Sequence, residues 1–369
     1  METNPLTQQT TRDFSTISPS AYSLLLMKGL TAIPYAREAA AFLLNARPDI
    51  ANVFKSRPGN PPAANPSNSN PFRQNPTTTN PTGQDPSNPR TSGTNPSNPF
   101  PSDTEQRPPL FWARLMHFEN RYWSINQLMQ SLDITNILEL SSGFSFRGLD
   151  LSRQKPVHYI DTDLPDLIAT KKQFVEALTG EHPPADSSAP THNPANATAD
   201  SPTVRLSKPG HYELRALNVL DEHAFDAIVD SFPPGELLIV NEGLLVYLDQ
   251  AEKETLCRTI RKALQRRGGY WITGDVYIQK ELDPSLIDRE DSFHQFLQQH
   301  NIEEKKFRDF ESAAEFFTRM GFIIDREAIT DVSKLSAWPR LFSTITPEIQ
   351  KKLTHAPKMH AIWRLRVNS

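Results

Sequence analysis

The sequence predicts an α/β fold: a doubly wound, mostly parallel sheet preceded by a helical segment. Two observations carry this. Short apolar runs alternate with helical stretches from residue 111 onward, and turns bearing glycine or aspartate follow those runs. A third observation, the placing of proline, limits the folded part. Of 32 prolines in 369 residues, 14 fall in residues 57–109 and 5 in 181–202, so 19 sit in 75 residues. About 294 residues remain, enough for one large domain with a substantial core.

Residues 1–56 form the first unit. Tyr22, Leu25, Leu26 and Leu30 make one apolar stripe, and Ala39, Phe42, Leu43 and Ala46 make a second. The stretch from Pro19 to Val53 therefore reads as two helices, which need the main body to dock on. Residues 57–109 repeat Asn-Pro and Pro-Ser-Asn units with almost nothing aliphatic to bury, the composition of a disordered linker. The main domain, 110–369, opens with a helix from Phe111 to Leu132.

Its strands are expected at Asn136 to Leu140, Val157 to Ile160, Tyr212 to Leu217, Glu236 to Asn241, Tyr270 to Asp275, Phe322 to Asp325 and His360 to Val367. Helices are expected at Leu164 to Leu178, Ala224 to Asp230, Asp249 to Arg267 and Phe310 to Met320. The third of these starts with Asp249 and Glu252 in capping-box spacing and stops at Gly268-Gly269. A disordered insertion at 181–202 interrupts the series. The last two strands, lacking a good crossover helix between them, read as an antiparallel pair at one edge.

Composition narrows the function. Lys plus Arg at 39 against Asp plus Glu at 43 leaves a formal charge of −4, which gives no drive toward nucleic acid or an anionic membrane. The single cysteine, Cys257, excludes an internal disulfide framework and a multi-cysteine zinc site. His294, His300, His355 and His360 show no metal-ligand spacing, so no metal is expected. The polar start lacks the features of a signal peptide, and the early apolar run Ala21 to Met27 is too short to span a bilayer. A cytoplasmic protein is the expectation.

Ligands of open parallel sheets bind beyond the carboxyl ends of the strands. After the first strand only Gly143 stands in the turn, where a pyrophosphate cofactor asks for three glycines. A nicotinamide or flavin dinucleotide is disfavoured, and a phosphate-free nucleoside such as S-adenosylmethionine is left. Asp161 and Asp163 follow Gly143 by 18 and 20 positions, the placement of a carboxylate that accepts ribose hydroxyls, and either cofactor would use them. Asp163, before Leu164-Pro165, also has the character of a helix N-cap. Glu242 ends an apolar strand, where a buried carboxylate requires a cationic or hydrogen-bonded partner.

The segment Glu242-Gly243-Leu244-Leu245-Val246-Tyr247-Leu248 resembles a signature of the leucine carboxyl methyltransferase family, which includes the polyketide-synthesis O-methyltransferases. Three further stretches are similar to that family in the same order: Arg121-Tyr122-Trp123-Ser124-Ile125-Asn126, the turn from Glu139 to Arg147, and Asp161-Thr162-Asp163-Leu164-Pro165 with Lys171. The resemblance implies an S-adenosylmethionine-dependent methyltransferase with a seven-stranded doubly wound, Rossmann-like sheet and an N-terminal helical lid. It implies that Lys28 and Arg121 contact the methionine carboxylate, Glu242 its amino end, Gly143 the turn beneath the cofactor, Asp163 the ribose and Asn218 the adenine. This chain departs from the family at Ser141 and Ser142 (glycine and alanine there), at Asn126 (aspartate) and at Asn218-Val219 (Asp-Leu).

The expected reaction is O-methylation of a small-molecule or peptide-terminal acceptor. No His-centred pair stands out in the sequence as a general base, which favours a carboxylate over a hydroxyl. The alternative is an inactive nucleoside-fold protein that serves as an interaction module, with a dehydrogenase third.

Overall fold

The computed structural model describes residues 18–47, 107–180, 210–279, 292–354 and 357–368. The linker expected at 57–109, up to residue 106, and the whole insertion at 181–202 lie outside the described residues.

The elements in chain order are α1 (Ser18–Lys28), α2 (Ala36–Ala46), α3 (Pro109–Gln130), β1 (Asn136–Leu140), α4 (Arg147–Gln154), β2 (His158–Asp163), α5 (Pro165–Thr179), β3 (His211–Ala216), α6 (Glu222–Asp230), β4 (Leu237–Asn241), α7 (Gln250–Arg267), β5 (Gly269–Tyr277), α8 (Ser292–Gln299), α9 (Phe310–Arg319), β6 (Phe322–Glu327), α10 (Trp338–Thr344), α11 (Pro347–Thr354) and β7 (His360–Val367). The strands form one seven-stranded sheet in the order β3-β2-β1-β4-β5-β7-β6. The first five pair in parallel, and β7 runs antiparallel to both β5 and β6.

β1 and β4 are buried along their whole length, as strands covered on both faces must be. Their side chains alternate between two cores. Leu138, Leu237 and Ile239 join α6, α7 and α9 through Phe225, Ile260 and Phe317. Ile137, Leu238 and Val240 meet Ile125 and Leu128 of α3 on the other face. The order reverses between β1 and β4, so the loops after these strands part and leave a crevice.

The two N-terminal helices dock as expected. Leu25, Leu26, Ala39 and Leu43 pack with Phe144, Leu149 and Phe174 of the main body. Glu119 of α3 fastens the turn between them by accepting from the Ala32 amide at 3.2 Å, and it also accepts from Ser336 Oγ and the Ala337 amide.

Three expectations are revised. β6 and β7 are joined through two short helices, α10 and α11, each of seven or eight residues beginning at or next to a proline. β5 runs on to Tyr277, past a register shift between Thr273 and Val276. Asp163 does not cap α5: Leu164 takes the N-cap position with no side-chain bond, and Pro165 begins the helix. The capping box of Asp249 and Glu252 on α7 is present as read. Among the described residues no helix is long and apolar enough to cross a membrane.

Candidate functional site

A cavity of about 280 Å³ opens at the carboxyl ends of β1, β2 and β4. Lys28, Arg121, Gly143, Asp163, Asn218 and Glu242 all line it, so six of the seven residues expected from the sequence meet in one place. The seventh, Asp161, lies outside. Its fully buried carboxylate pairs with Lys171 Nζ at 2.8 Å and accepts the Tyr212 hydroxyl at 2.6 Å, which makes it part of the interior beneath the turn.

Each side chain has a local reason for its place. Lys28 is the last residue of α1, where a cation complements the helix dipole. His117 and Arg121 lie one turn apart on α3 and therefore share a face. Gly143 has φ +51, and a Cβ there would meet nothing within 4 Å, so its backbone faces open space. The Gly143 amide donates to Asp163 Oδ2 at 2.7 Å, and the Leu164 amide donates to Oδ1. Burial raises the Asp163 carboxyl, and these two hydrogen bonds oppose the rise.

Glu242 is the centre of charge. Its Oε1 lies 2.9 Å from Lys28 Nζ and 3.1 Å from Arg121 Nη2, and its Oε2 lies 2.7 Å from Arg147 Nη2. Burial pushes this carboxyl up, yet the three cations together hold it well below the usual range. The cationic partner that its position demanded is thus supplied threefold. Arg147 also pairs with Glu139 and donates to Asn126 Oδ1. Arg147 thus bridges Glu242 and Glu139, while Lys28 and Arg121 share Glu242; burial pushes Glu139 up to about 7 against the pull of Arg147. Arg121 Nε is buried with no acceptor among the described residues. Burial also lowers the Lys28 ammonium, with Glu242 opposing. Such a cluster can take a carboxylate.

Asp275 builds the loop that carries Glu242. Within the β5 irregularity its carboxylate accepts from the amides of Gly243, Leu244 and Leu245 at 2.6 to 3.0 Å, and from Asn241 Nδ2 at 2.6 Å. Gly243 has φ +82, and a Cβ there would meet Arg121 at 3.1 Å. At the other end of the cavity, Asn218 Oδ1 already accepts from the Leu220 amide, which leaves one lone pair for a ligand donor.

Sequence reasoning missed three features here. Arg147 was legible as a cation in the first turn of a helix, a position opposed by the dipole that calls for carboxylates nearby. Asp275 ends the expected strand Tyr270 to Asp275, and so carried the same signal as Glu242, a carboxylate closing an apolar strand. The third is a His-centred pair, the very thing the sequence did not reveal. His117 Nε2 lies 2.8 Å from the Tyr277 hydroxyl, which also accepts from Arg121 Nη1 at 3.0 Å. His360 stacks on Tyr277 with ring centres 4.2 Å apart. Burial, then His360 and Arg121, hold His117 well below its usual range, which favours the neutral ring. Both His117 and Tyr277 line the cavity.

No family model matches the sequence, and no curated protein matches it. Similar solved structures include a magnesium protoporphyrin IX methyltransferase from Synechocystis PCC 6803 with bound SAH, at 9% identity over 70% of this chain and 86% of that one, TM-score 0.37. The mitomycin 7-O-methyltransferase MmcR matches at 10% identity over 70% of this chain and 57% of that one, TM-score 0.38. An O-methyltransferase family protein from Burkholderia thailandensis matches at 11% identity over 71% of this chain and 60% of that one, TM-score 0.37. The chain spans less than two thirds of the last two. At such identities the functional reading rests on the cavity's own residues.

Proposed function

We propose that the chain is an S-adenosylmethionine-dependent methyltransferase that methylates an oxygen of a small molecule or of a peptide carboxyl terminus. The observation that carries this is the charge layout of the cavity. A buried cluster of three cations, Lys28, Arg121 and Arg147, with one carboxylate, Glu242, at its centre stands at one end, and the Gly143–Asp163 turn stands beside it. This layout suits a zwitterionic amino acid joined to a nucleoside. The resemblance to the leucine carboxyl methyltransferase family supports the same assignment.

The residues present fit the cofactor. Lys28 and Arg121, with its unsatisfied Nε, would hold the methionine carboxylate by charge-assisted hydrogen bonds. A carboxylate offers about four acceptor positions, and three on Glu242 are filled, so one remains for the ammonium. Asp163 would take the ribose, Gly143 would lie under the nucleoside, and Asn218 would accept from the adenine amino group through its remaining lone pair. When bound, the cofactor supplies a methyl group on a sulfonium that is displaced in line by the acceptor oxygen. The protein's part is to align that oxygen and to exclude water. Ser20, Leu24 and Leu25 of α1 wall one side of the cavity, so the N-terminal helices act as a lid whose opening admits ligands.

For the acceptor, a carboxylate is already ionised and needs no base. A hydroxyl acceptor is the second reading, favoured by the His117–Tyr277 pair. Tyr277 Oη has a lone pair left to accept the hydroxyl proton while its own proton passes to His117 Nε2. The two readings part on one variant. His117→Ala lowers turnover of a hydroxyl acceptor by about 10²-fold or more and leaves turnover of a carboxylate nearly unchanged.

Calorimetric titration of S-adenosylhomocysteine into wild type, Lys28→Met and Asp163→Asn tests the assignment. It expects binding in wild type that weakens by about tenfold in each variant, the equivalent of one lost charge-assisted contact. Equal binding by all three proteins, each shown to be folded, would overturn the assignment of these residues.

A further inference from the structure

At the opposite end of β2 from the cavity, two histidines stand side by side. His158 begins the strand that Asp163 ends, about 17 Å away at strand rise. It is the register partner of His211 on the parallel edge strand β3. Paired residues on adjacent strands face the same way, and here the two ring centres are 4.4 Å apart. Glu213, two residues beyond His211, faces that side as well, with Oε1 3.4 Å from His211 Nε2. One ligand atom from each of the three residues lies within 4.8 Å of the others.

We infer that His158, His211 and Glu213 form a binding site for a divalent transition metal, zinc being the representative ion. Two imidazole nitrogens and one carboxylate oxygen, with water in the fourth position, suit zinc, cobalt, nickel or copper rather than the oxygen-loving magnesium and calcium.

A further observation supports the site. His158 Nε2 is buried without any hydrogen-bond partner among the described residues, an atom in want of a ligand. The backbone is already fixed on both strands: the His158 amide donates to Thr135 O at 2.8 Å and the His211 amide to Val157 O at 2.7 Å. Metal bonds of about 2.0 to 2.1 Å place tetrahedral donors about 3.4 Å apart, so the site tightens by about an ångström on binding. His211, with 56% of its side chain exposed, has the freedom to swing inward. Arg215 pairs with Glu213 Oε2 at 2.6 Å and leaves Oε1 to the metal, while its positive charge weakens the attraction for a cation. The ion would fasten β3 to β2.

The test uses the full chain, stripped with chelator and desalted, and titrated with zinc chloride by calorimetry. His211→Ala removes an exposed ligand, and His223→Ala, at an exposed position on α6, serves as control. The expected result is one zinc per chain at micromolar affinity, weakened at least tenfold in His211→Ala and unchanged in His223→Ala, with saturating zinc raising the wild-type melting temperature by roughly 5 °C. No saturable uptake by wild type, uptake that His211→Ala leaves unchanged, or equal binding of magnesium would each overturn it.

Discussion

Replacing Glu242 by glutamine keeps the shape and removes the one charge that three cations share. The Glu242 side chain is 4% exposed, and its contacts lie at 2.7, 2.9 and 3.1 Å. In the variant, Arg147 keeps Glu139 while Lys28 and Arg121 lose their ion-pair partner, and the new amide group points a donor at donors. Removing one partner of a buried ion pair costs about 3–5 kcal/mol. At roughly 2–4 °C per kcal/mol for a domain of this size, the melting temperature falls by roughly 6–20 °C. Thermal and urea denaturation at pH 7.5 measure this, and added salt restores little because the pairs are buried. The pH dependence has a definite sign. The wild-type carboxyl titrates well below its ordinary 4.5, so its stabilisation is complete above that value and is lost as pH falls through the depressed one. The gap between wild type and variant therefore closes in acid. A loss under about 1 kcal/mol at pH 7.5, or a gap that widens in acid, would refute the claim that Glu242 anchors the cluster.

Asp275→Asn leaves loop amides unsatisfied and costs about 3 kcal/mol, and below its melting temperature the variant binds S-adenosylhomocysteine more weakly because Glu242 has lost its support; unchanged affinity would sink the link between the two. Burial takes His360 down to about 4 from its ordinary 6.5, so it contributes stability that is present above 6.5 and is lost as pH falls toward 4, about 3 kcal/mol in all; denaturation of wild type against His360→Asn across that range should show the difference, and parallel curves would contradict it. Cys257 is wholly buried and its thiol is pushed well up, so a thiol reagent such as dithionitrobenzoate should label the native chain only on the unfolding timescale, and prompt stoichiometric labelling would be inconsistent with the packing.

The sheet was legible because its strands are short apolar runs set between amphipathic helices, and period-two alternation then assigns each residue to a core. β1 shows both the reach of that reading and its limit. Its apolar residues placed it at the centre, but Glu139 in the middle of the run gave no hint of the ion pair with Arg147 and the hydrogen bond from Tyr159 that make its burial tolerable. Spacing alone put Asp161 and Asp163 at equal standing. They share a face of β2, and what separates them is Lys171, which covers Asp161 from α5 and also donates to Ser142 Oγ. The helices between β6 and β7 are too short to establish a period. The His117–Tyr277 pair and the His158–His211–Glu213 cluster depend on contacts across 160 and 53 positions, which no local pattern encodes. Of the cavity, the sequence revealed the charges at strand ends, where burial makes an ionisable residue conspicuous, and missed the groups that position them.

The central claim is that the cavity holds an adenosyl amino acid rather than a dinucleotide. Titrating the wild-type chain in parallel with S-adenosylmethionine, S-adenosylhomocysteine and NAD tests it directly. The charge layout predicts micromolar binding of both adenosyl compounds at one site per chain, with NAD at least a hundredfold weaker, a difference of about 2.7 kcal/mol. Tighter binding of NAD, or no binding of either adenosyl compound by the folded chain, would contradict the claim.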